Sequence, residues 1–446
     1  MQHKVVNRAI ALLLIAVIAY LNYAVIRTNF YLLLGCYWSA FILYFVILQH
    51  ELKQDNKSTI KWLGERVSNS LFFWLSIAFI ARAALLFSLP NLSDDFYRFI
   101  WDGRASISGI NPYDFKPSEI LAQNPLLSIE LFQNLNSPEY YSVYPPFLQY
   151  LFAFATFLFP KSILGSTIVL KLIILGSEVL TLKLLLMLLA KLKIALKNVL
   201  WYALNPLVII ELVGNLHFEA LMITSVLAAA YFAFEKKWFL SAICMAISVQ
   251  VKIIPLLFIP LFLPLLGWRR FIKFGLLTGV LIMLVGLPFL NTIERLGHLL
   301  LSMELYFNNF SFNGGLYYAV KALLPEAFQV TGLKIYSLIT SITVVSIIGY
   351  YTFKQKKQSN FFLGMFWALF IYQFCATSIH PWYLVPLLAL TPFVKTKIAV
   401  IWSILIVVSY FTYRVVPYDE ALILGSVSSG IVVIYLLIEK QLKIKY

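Results

Sequence analysis

Apolar runs close to 20 residues long recur from one end of this 446-residue chain to the other. A helix of about 20 such residues crosses the hydrocarbon core of a bilayer. Lipid offers no water to backbone N–H and C=O groups, and a helix satisfies them within one segment. The runs therefore predict an all-α polytopic membrane protein. Composition agrees: 61% of residues are hydrophobic and 12% charged, against roughly 25% charged in soluble domains. The run after Arg8 lacks a small-residue cleavage site and is followed by another span, so it reads as a first span rather than a cleaved signal. Cys36, Cys244 and Cys375 all lie in apolar runs without CxxC spacing and define no disulfide framework.

Spans are expected at about 8–26, 31–48, 68–89, 166–190, 199–214, 217–234, 238–251, 253–266, 271–290, 333–353, 361–378, 382–394, 398–416 and 420–438. That is about 14 transmembrane helices, within a range of 12–14. One set of connections, with both termini, carries 22 of the 35 Lys and Arg residues. By the positive-inside rule this face is cytoplasmic. The formal charge of +15 is then mostly an orientation signal and gives no nucleic-acid partner. Pro146 to Phe159 is apolar but too short to span; it is expected to lie at the outer interface. Residues 1–66 read as two N-terminal helices and a cytoplasmic loop. Residues 67–440 read as the main membrane domain, with outer segments at 90–160 and 291–332.

Against this apolar background one stretch stands out. Ser93 to Arg104 holds Asp94, Asp95 and Asp102 with Arg98 and Arg104. The topology places it on the outer face, where Glu211, Asn215, His217, Glu219, Lys252, His380 and Arg414 also fall. Ser93 or Asp94 can cap a short helix. Asp95, Arg98 and Asp102, at i, i+3 and i+7, share one side of it. A capped helix with internal ion pairs accounts for these residues. So does a general base, an Asp that takes a proton from an attacking hydroxyl. The Asp-Asp pair could also hold a divalent cation through oxygen ligands.

Lys252 lies in strongly apolar sequence, where an ionisable group is functional by default, although a Lys near a helix end can snorkel to the interface. It suits a phosphate, as does Arg414. His217 and His380 suit hydrogen bonds to phosphate or capped hairpins equally. Glu211 and Glu219 suit orientation of His217 or binding of sugar hydroxyls. Arg82 and Glu178 are expected to pair structurally. The aromatic and Asn-rich stretch Tyr306–Gly315, which includes Asn313, suits sugar stacking or an interfacial belt. Asn91-Leu-Ser93 and Asn309-Phe-Ser311 are sequons on the expected outer face. No Walker-type loop or dinucleotide fingerprint is present, so an outer-face transferase would need an activated donor that arrives within the membrane.

Several segments together resemble the GT-C integral-membrane glycosyltransferases, especially bacterial mannosyltransferase-like members and more distantly the catalytic subunit of GPI mannosyltransferase I. They are Asp95-x-Tyr97-Arg98-x-x-Trp101-Asp102-Gly103, Gly109-x-Asn111-Pro112-Tyr113 and Tyr144-Pro145-Pro146. Later come Asn205-Pro206-Leu207, Glu211, Gly214-x-x-His217-x-Glu219-Ala220-Leu221-Met222, Lys252-x-x-Pro255, Phe312-Asn313-Gly314 and His380-Pro381-Trp382-Tyr383. The likeness spans about residues 65–420. It implies a GT-C-like fold with outer-face juxtamembrane helices, set in a bacterial inner membrane with both termini cytoplasmic. It implies transfer of a hexose, mannose in the nearest members, from a polyprenyl-phosphate donor to a glycolipid or glycan acceptor, with inversion. The base would be Asp95, with Asp94 and Asp102 as alternatives or supports. Lys252, Arg98, Arg104, His380 and Arg414 would hold the donor phosphate. His217, Glu219, Glu211, Asn215, Asn313 and Tyr383 would contact sugar or acceptor. Glu219 stands where many relatives carry Asp. Family members differ in metal need, so a divalent metal stays open. The competing reading is a transporter or flippase for a lipid-linked sugar, but the chain shows no internal repeat of the kind transporters carry.

Overall fold

The computed structural model describes residues 2–53, 58–62, 64–121, 126–308, 310–354, 359–414 and 422–445. Asn309 of the second sequon, and Lys57, Lys356 and Lys357 of the basic connections, lie outside them. Each of the fourteen apolar segments read from the sequence contains helix, and Pro146–Leu158 is a separate 13-residue helix. Among the described residues, four helices are long and apolar enough to cross a membrane: Val5–Ala24, Phe30–Glu51, Ile163–Lys191 and Glu326–Phe353. A fifth candidate is the pair Leu196–Ala203 and Pro206–Gly214, bent by 60°. Nine further apolar helices have 10–17 residues. Many large apolar side chains, such as Leu12, Ile42, Leu276 and Val345, face outward. In water that surface would be a liability; against lipid it is the expected boundary.

The chain opens with a helical hairpin, α1 (Gln2–Ala24) and α2 (Phe30–Glu51). A two-stranded antiparallel ribbon follows, β1 (Thr59–Trp62) and β2 (Glu65–Ser68), turning at Gly64 with φ +98°. The apolar periodicity gave no hint of this ribbon. Helix α3 (Asn69–Ala83) begins where the Ser68 hydroxyl caps the Leu71 N–H. Its Arg82 pairs with Glu178 of the long Ile163–Lys191 helix at 3.0 Å, both fully buried, as their depth within apolar runs suggested. Polar groups also pin the N-terminal hairpin to distant parts of the bundle. Tyr37 donates to the Ser403 carbonyl at 2.6 Å, and Tyr44 to the Trp201 carbonyl at 2.9 Å.

Helix α4 (Asp95–Ile107) carries the charged cluster. The Ser93 hydroxyl accepts from the Asp95 N–H at 3.3 Å, whereas Asp94 makes no side-chain cap. The helix ends in a two-bond left-handed cap: Gly109, at φ +80°, donates to Ser106, and Ile110 donates to Ala105. The Asn111 side chain then accepts from the Tyr113 N–H and donates to the Phe289 carbonyl. The Gly-x-Asn-Pro-Tyr motif is thus a turn that ends α4. On its inner side α4 packs against the Pro146–Leu158 helix. There Gly103 lets the Phe152 carbonyl come so close that a Cβ would collide with it. Phe99 stacks on Phe152 at 4.7 Å and tightens the same contact.

Candidate active site

Asp95 stands at the first turn of α4 and is half-buried. Its carboxylate accepts from Asn136 Nδ2 at 2.7 Å and, among the described residues, forms no ion pair. Burial pushes its carboxyl above the usual range; His217 and Asn136 pull it back, and the charges of Asp94 and Glu219 add to the rise. A carboxylate that is costly to keep charged is poised to take a proton.

The other two acids of the cluster are engaged differently. Asp94 accepts from Arg27 Nη2 at 2.5 Å, across 67 residues of sequence. Asp102 is only 1% exposed. It accepts from Arg98 Nε at 2.7 Å, Ser142 Oγ at 2.5 Å and Gln149 Nε2 at 3.2 Å. Arg98 Nη1 in turn donates to the Ser137 carbonyl and hydroxyl and to the Tyr140 carbonyl. This buried knot ties α4 to residues 137–149. Arg104, toward the other end of α4, is also buried; its Nη1 donates to the Leu126 carbonyl, and burial lowers its ordinary basicity. Nine residues along a helix separate Arg104 from Asp95 by about 13 Å.

Opposite Asp95 comes the segment after Asn205, whose side chain caps Leu207 ahead of Pro206. The helix widens into a π-turn at Ile210–Gly214, a distortion frequent at functional sites. It buries Glu211, which accepts from Tyr410 at 2.8 Å. His217 Nδ1 lies 2.8 Å from the Glu211 carbonyl and 3.4 Å from its carboxylate. Asn215 accepts from the Leu92 N–H and donates to the Ile210 carbonyl, which fixes this turn beside the approach to α4. Glu219 starts the Glu219–Phe234 helix and accepts from Lys252 Nζ at 2.5 Å. Lys252 ends the Trp238–Val251 helix, 29% exposed at its side chain, with its ammonium 3.7 Å from the centre of the Tyr383 ring.

A stack of flat rings closes this side. Phe312 lies on His380 at 4.5 Å, His380 on Trp382 at 4.5 Å, and Trp382 on His217 at 3.9 Å, all within 15° of parallel. The strand-like pairing of Phe312 and Asn313 with Ser378 holds it, helped by Asn313 donating to the Ile379 carbonyl at φ +53°. Burial, with the charges of Lys252 and His217, pushes His380 down to about 3, so its ring is neutral at physiological pH. His217 Nε2 and His380 Nδ1 are buried without a hydrogen-bond partner among the described residues.

The structure therefore brings together Asp94, Asp95, Glu211, His217, Glu219, Lys252, His380 and Tyr383. Asn215 and Asn313 hold the loops around them. Arg98, Asp102 and Arg104 are bound into α4 and its neighbours. Arg414 lies over the Phe411 ring at 4.2 Å and donates to the Tyr31 hydroxyl at 3.2 Å. Sequence reasoning missed Arg27, Asn136, Tyr410 and Tyr413. A signal for Arg27 existed: it is a basic residue in a turn on the expected outer face, where such residues are scarce. Among the described residues no three or more His, Cys, Asp or Glu side chains are grouped to hold a metal ion.

A membrane-embedded helical bundle that gathers carboxylates, two histidines and a lysine from distant segments of the chain has the character of a GT-C integral-membrane glycosyltransferase. Comparison with known families agrees: residues 5–268, more than half of the chain, match the MptA_B family, described as alpha-(1->6)-mannopyranosyltransferase, N-terminal domain. The chain belongs to this family of mannosyltransferases. The match includes the N-terminal hairpin, α4 and Lys252; the ring stack from Phe312 to Trp382 lies mostly beyond it. No curated protein matches the chain.

Proposed function

We propose that the protein transfers mannose from a polyprenyl-phosphate-linked donor to a glycolipid or glycan acceptor on the outer face of a bacterial inner membrane. Asp95 serves as general base. The acceptor hydroxyl attacks the anomeric carbon and gives its proton to Asp95. The bond from that carbon to the phosphate oxygen breaks with inversion, and the lipid phosphate leaves with the electron pair. Lys252 is the cation beside it, stabilising the charge that develops. Neutral His380 can donate a hydrogen bond to the phosphate or the sugar. The observation that carries this reading is the contrast within one helix. Asp102 is locked in a buried ion pair, whereas Asp95 accepts one amide hydrogen bond and faces His217 and Glu219.

Arg98 and Arg104 fit a structural part better than a phosphate-binding one, because their bonds run to backbone carbonyls and to Asp102. Glu219 holds Lys252 until a phosphate competes for it. The test is Asp95→Asn, assayed with radiolabelled polyprenyl-phosphate mannose in membrane vesicles that contain the native acceptor. The variant should fold and retain the donor yet transfer nothing; retained transfer would remove Asp95 from the role of base. Impermeant thiol reagents applied to a cysteine placed at Asn136 in right-side-out vesicles test the sidedness, and protection from outside would reverse it.

A further inference from the structure

Arg27 occupies the turn between α1 and α2, far in sequence from the motifs that carry the chemistry. Its guanidinium pairs with Asp94 at 2.5 Å and lies 4.5 Å from the centre of the Tyr413 ring. Tyr413 in turn lies 6.1 Å from Phe312, a ring stacked on His380. The turn is held in place from several directions. Asn91 Nδ2 donates to the Leu21 and Val25 carbonyls, and Tyr23 donates to the Ala84 carbonyl at 2.8 Å. The Asn22 side chain fills the space where a Cβ at Gly214, the last residue of the π-turn, would stand. One hairpin therefore meets the start of α4 and the π-turn, and reaches the ring stack only through Tyr413. The side chains of Arg27 and Asp94 are 16% and 36% exposed, so the pair is partly withdrawn from solvent and screened less than a surface pair.

We propose that Arg27 is a positioning residue of the transferase: its pairing with Asp94 cancels a negative charge next to the general base and fixes the N-terminal turn of α4, which makes the α1–α2 hairpin a working part of the site. The proposal rests on Asp95 as the base. Among the described residues, the charged groups that face Asp95 are Asp94 and, through it, Arg27; His217 and Glu219 from the opposite hairpin; and Lys252 through Glu219. Neighbouring negative charge disfavours a carboxylate, and neighbouring positive charge favours it. Without Arg27 the charge on Asp94 is uncompensated beside Asp95, and the base holds its proton to higher pH.

The experiment is the pH profile of kcat/KM for the full-length protein in vesicles, with radiolabelled polyprenyl-phosphate mannose as probe. Arg27→Gln should move the acid limb up by about half to one pH unit, an activity loss of about three- to tenfold below the limb and little above it. Asp94→Asn should move the limb down. In the Arg27→Gln/Asp94→Asn double variant the upward shift should vanish, because the Asp94 charge beside Asp95 is gone. Arg27→Lys, which keeps the charge without the planar fork, should leave the limb near its original place. An equal loss at every pH with Arg27→Gln, or an upward shift that persists in the double variant, overturns the proposal. Should Arg27→Gln fail to fold, Asp94→Asn decides, since an unmoved limb there overturns it too. Transfer retained by Asp95→Asn refutes the base itself; an inactive Asp95→Asn with unmoved limbs in the Arg27 and Asp94 variants refutes only the positioning role.

Discussion

Asp102→Ala distinguishes the two carboxylates of α4 by what each loss does. The Asp102 side chain is 1% exposed and its oxygens accept from Arg98, Ser142 and Gln149. Removing one partner of a buried ion pair costs about 3–5 kcal/mol. The lower end applies here, about 3 kcal/mol, for two reasons. Arg98 keeps its three bonds to Ser137 and Tyr140, and Gln149 still donates to Ser142 at 2.7 Å. Asp102→Asn keeps an acceptor oxygen and most of the shape, and should cost about 1–2 kcal/mol. Thermal unfolding followed by tryptophan fluorescence in detergent measures both. Transfer is then assayed well below the melting temperature, per folded molecule. Both Asp102 variants should melt earlier than the parent, Ala more than Asn, while the folded fraction keeps transfer within about tenfold. Asp95→Asn should show the reverse pattern. An Asp102→Asn variant that melts like the parent yet transfers as little as Asp95→Asn would refute the division of labour within α4.

Lys252→Met should reduce kcat by about 10²–10³-fold, with Lys252→Arg less affected; a loss below tenfold in initial rates at saturating donor would remove Lys252 from the phosphate. The wild-type profile should show an acid limb above the usual carboxylate range, because burial raises Asp95, and activity should fall as pH drops through it. The linked stability has the opposite slope: with the folded carboxyl above its unfolded value, the native state binds the proton more tightly, and that stabilisation is present at low pH and lost as pH rises from the unfolded to the folded value. Asp95→Asn should therefore melt at or above the parent at pH 7, and a markedly lower melting temperature would contradict a strained charged base. Gly103→Ala should destabilise by about 1–3 kcal/mol, because its Cβ meets the Phe152 carbonyl; unchanged melting would mean that α4 and the Pro146–Leu158 helix separate freely.

Much of the fold was legible because membrane helices announce themselves residue by residue. Each apolar run read as a span contains helix, and Pro146 with the short run after it marked a separate helix, whereas Ile293–Asn308 and Gly315–Leu323 fell in a stretch read only as an outer segment. The β1–β2 ribbon left no trace, because four-residue strands in a short polar connection have too little pattern to stand out. The i, i+4 spacing of Arg98 and Asp102 placed them within reach of each other, but the same spacing serves an ion pair or a catalytic pair. Their burial and their bonds to residues 137–149 distinguished the two. His217 and His380 were singled out by their place on the expected outer face and by the motifs around them; that Trp382 lies between their rings is a fact of packing.

The sequence alone determined that this chain lives in a membrane and which polar residues are too costly in apolar surroundings to be incidental. Those properties follow from local composition, since each segment meets lipid or water by itself. Tertiary structure alone decided which carboxylate is committed and which is available. Asp94 and Asp95 are adjacent in sequence, yet one is paired with Arg27 from the first hairpin and the other faces His217 and Glu219 from the far side. Charge interactions and burial depend on distance in space, and no local pattern encodes the approach of a residue 67 positions away.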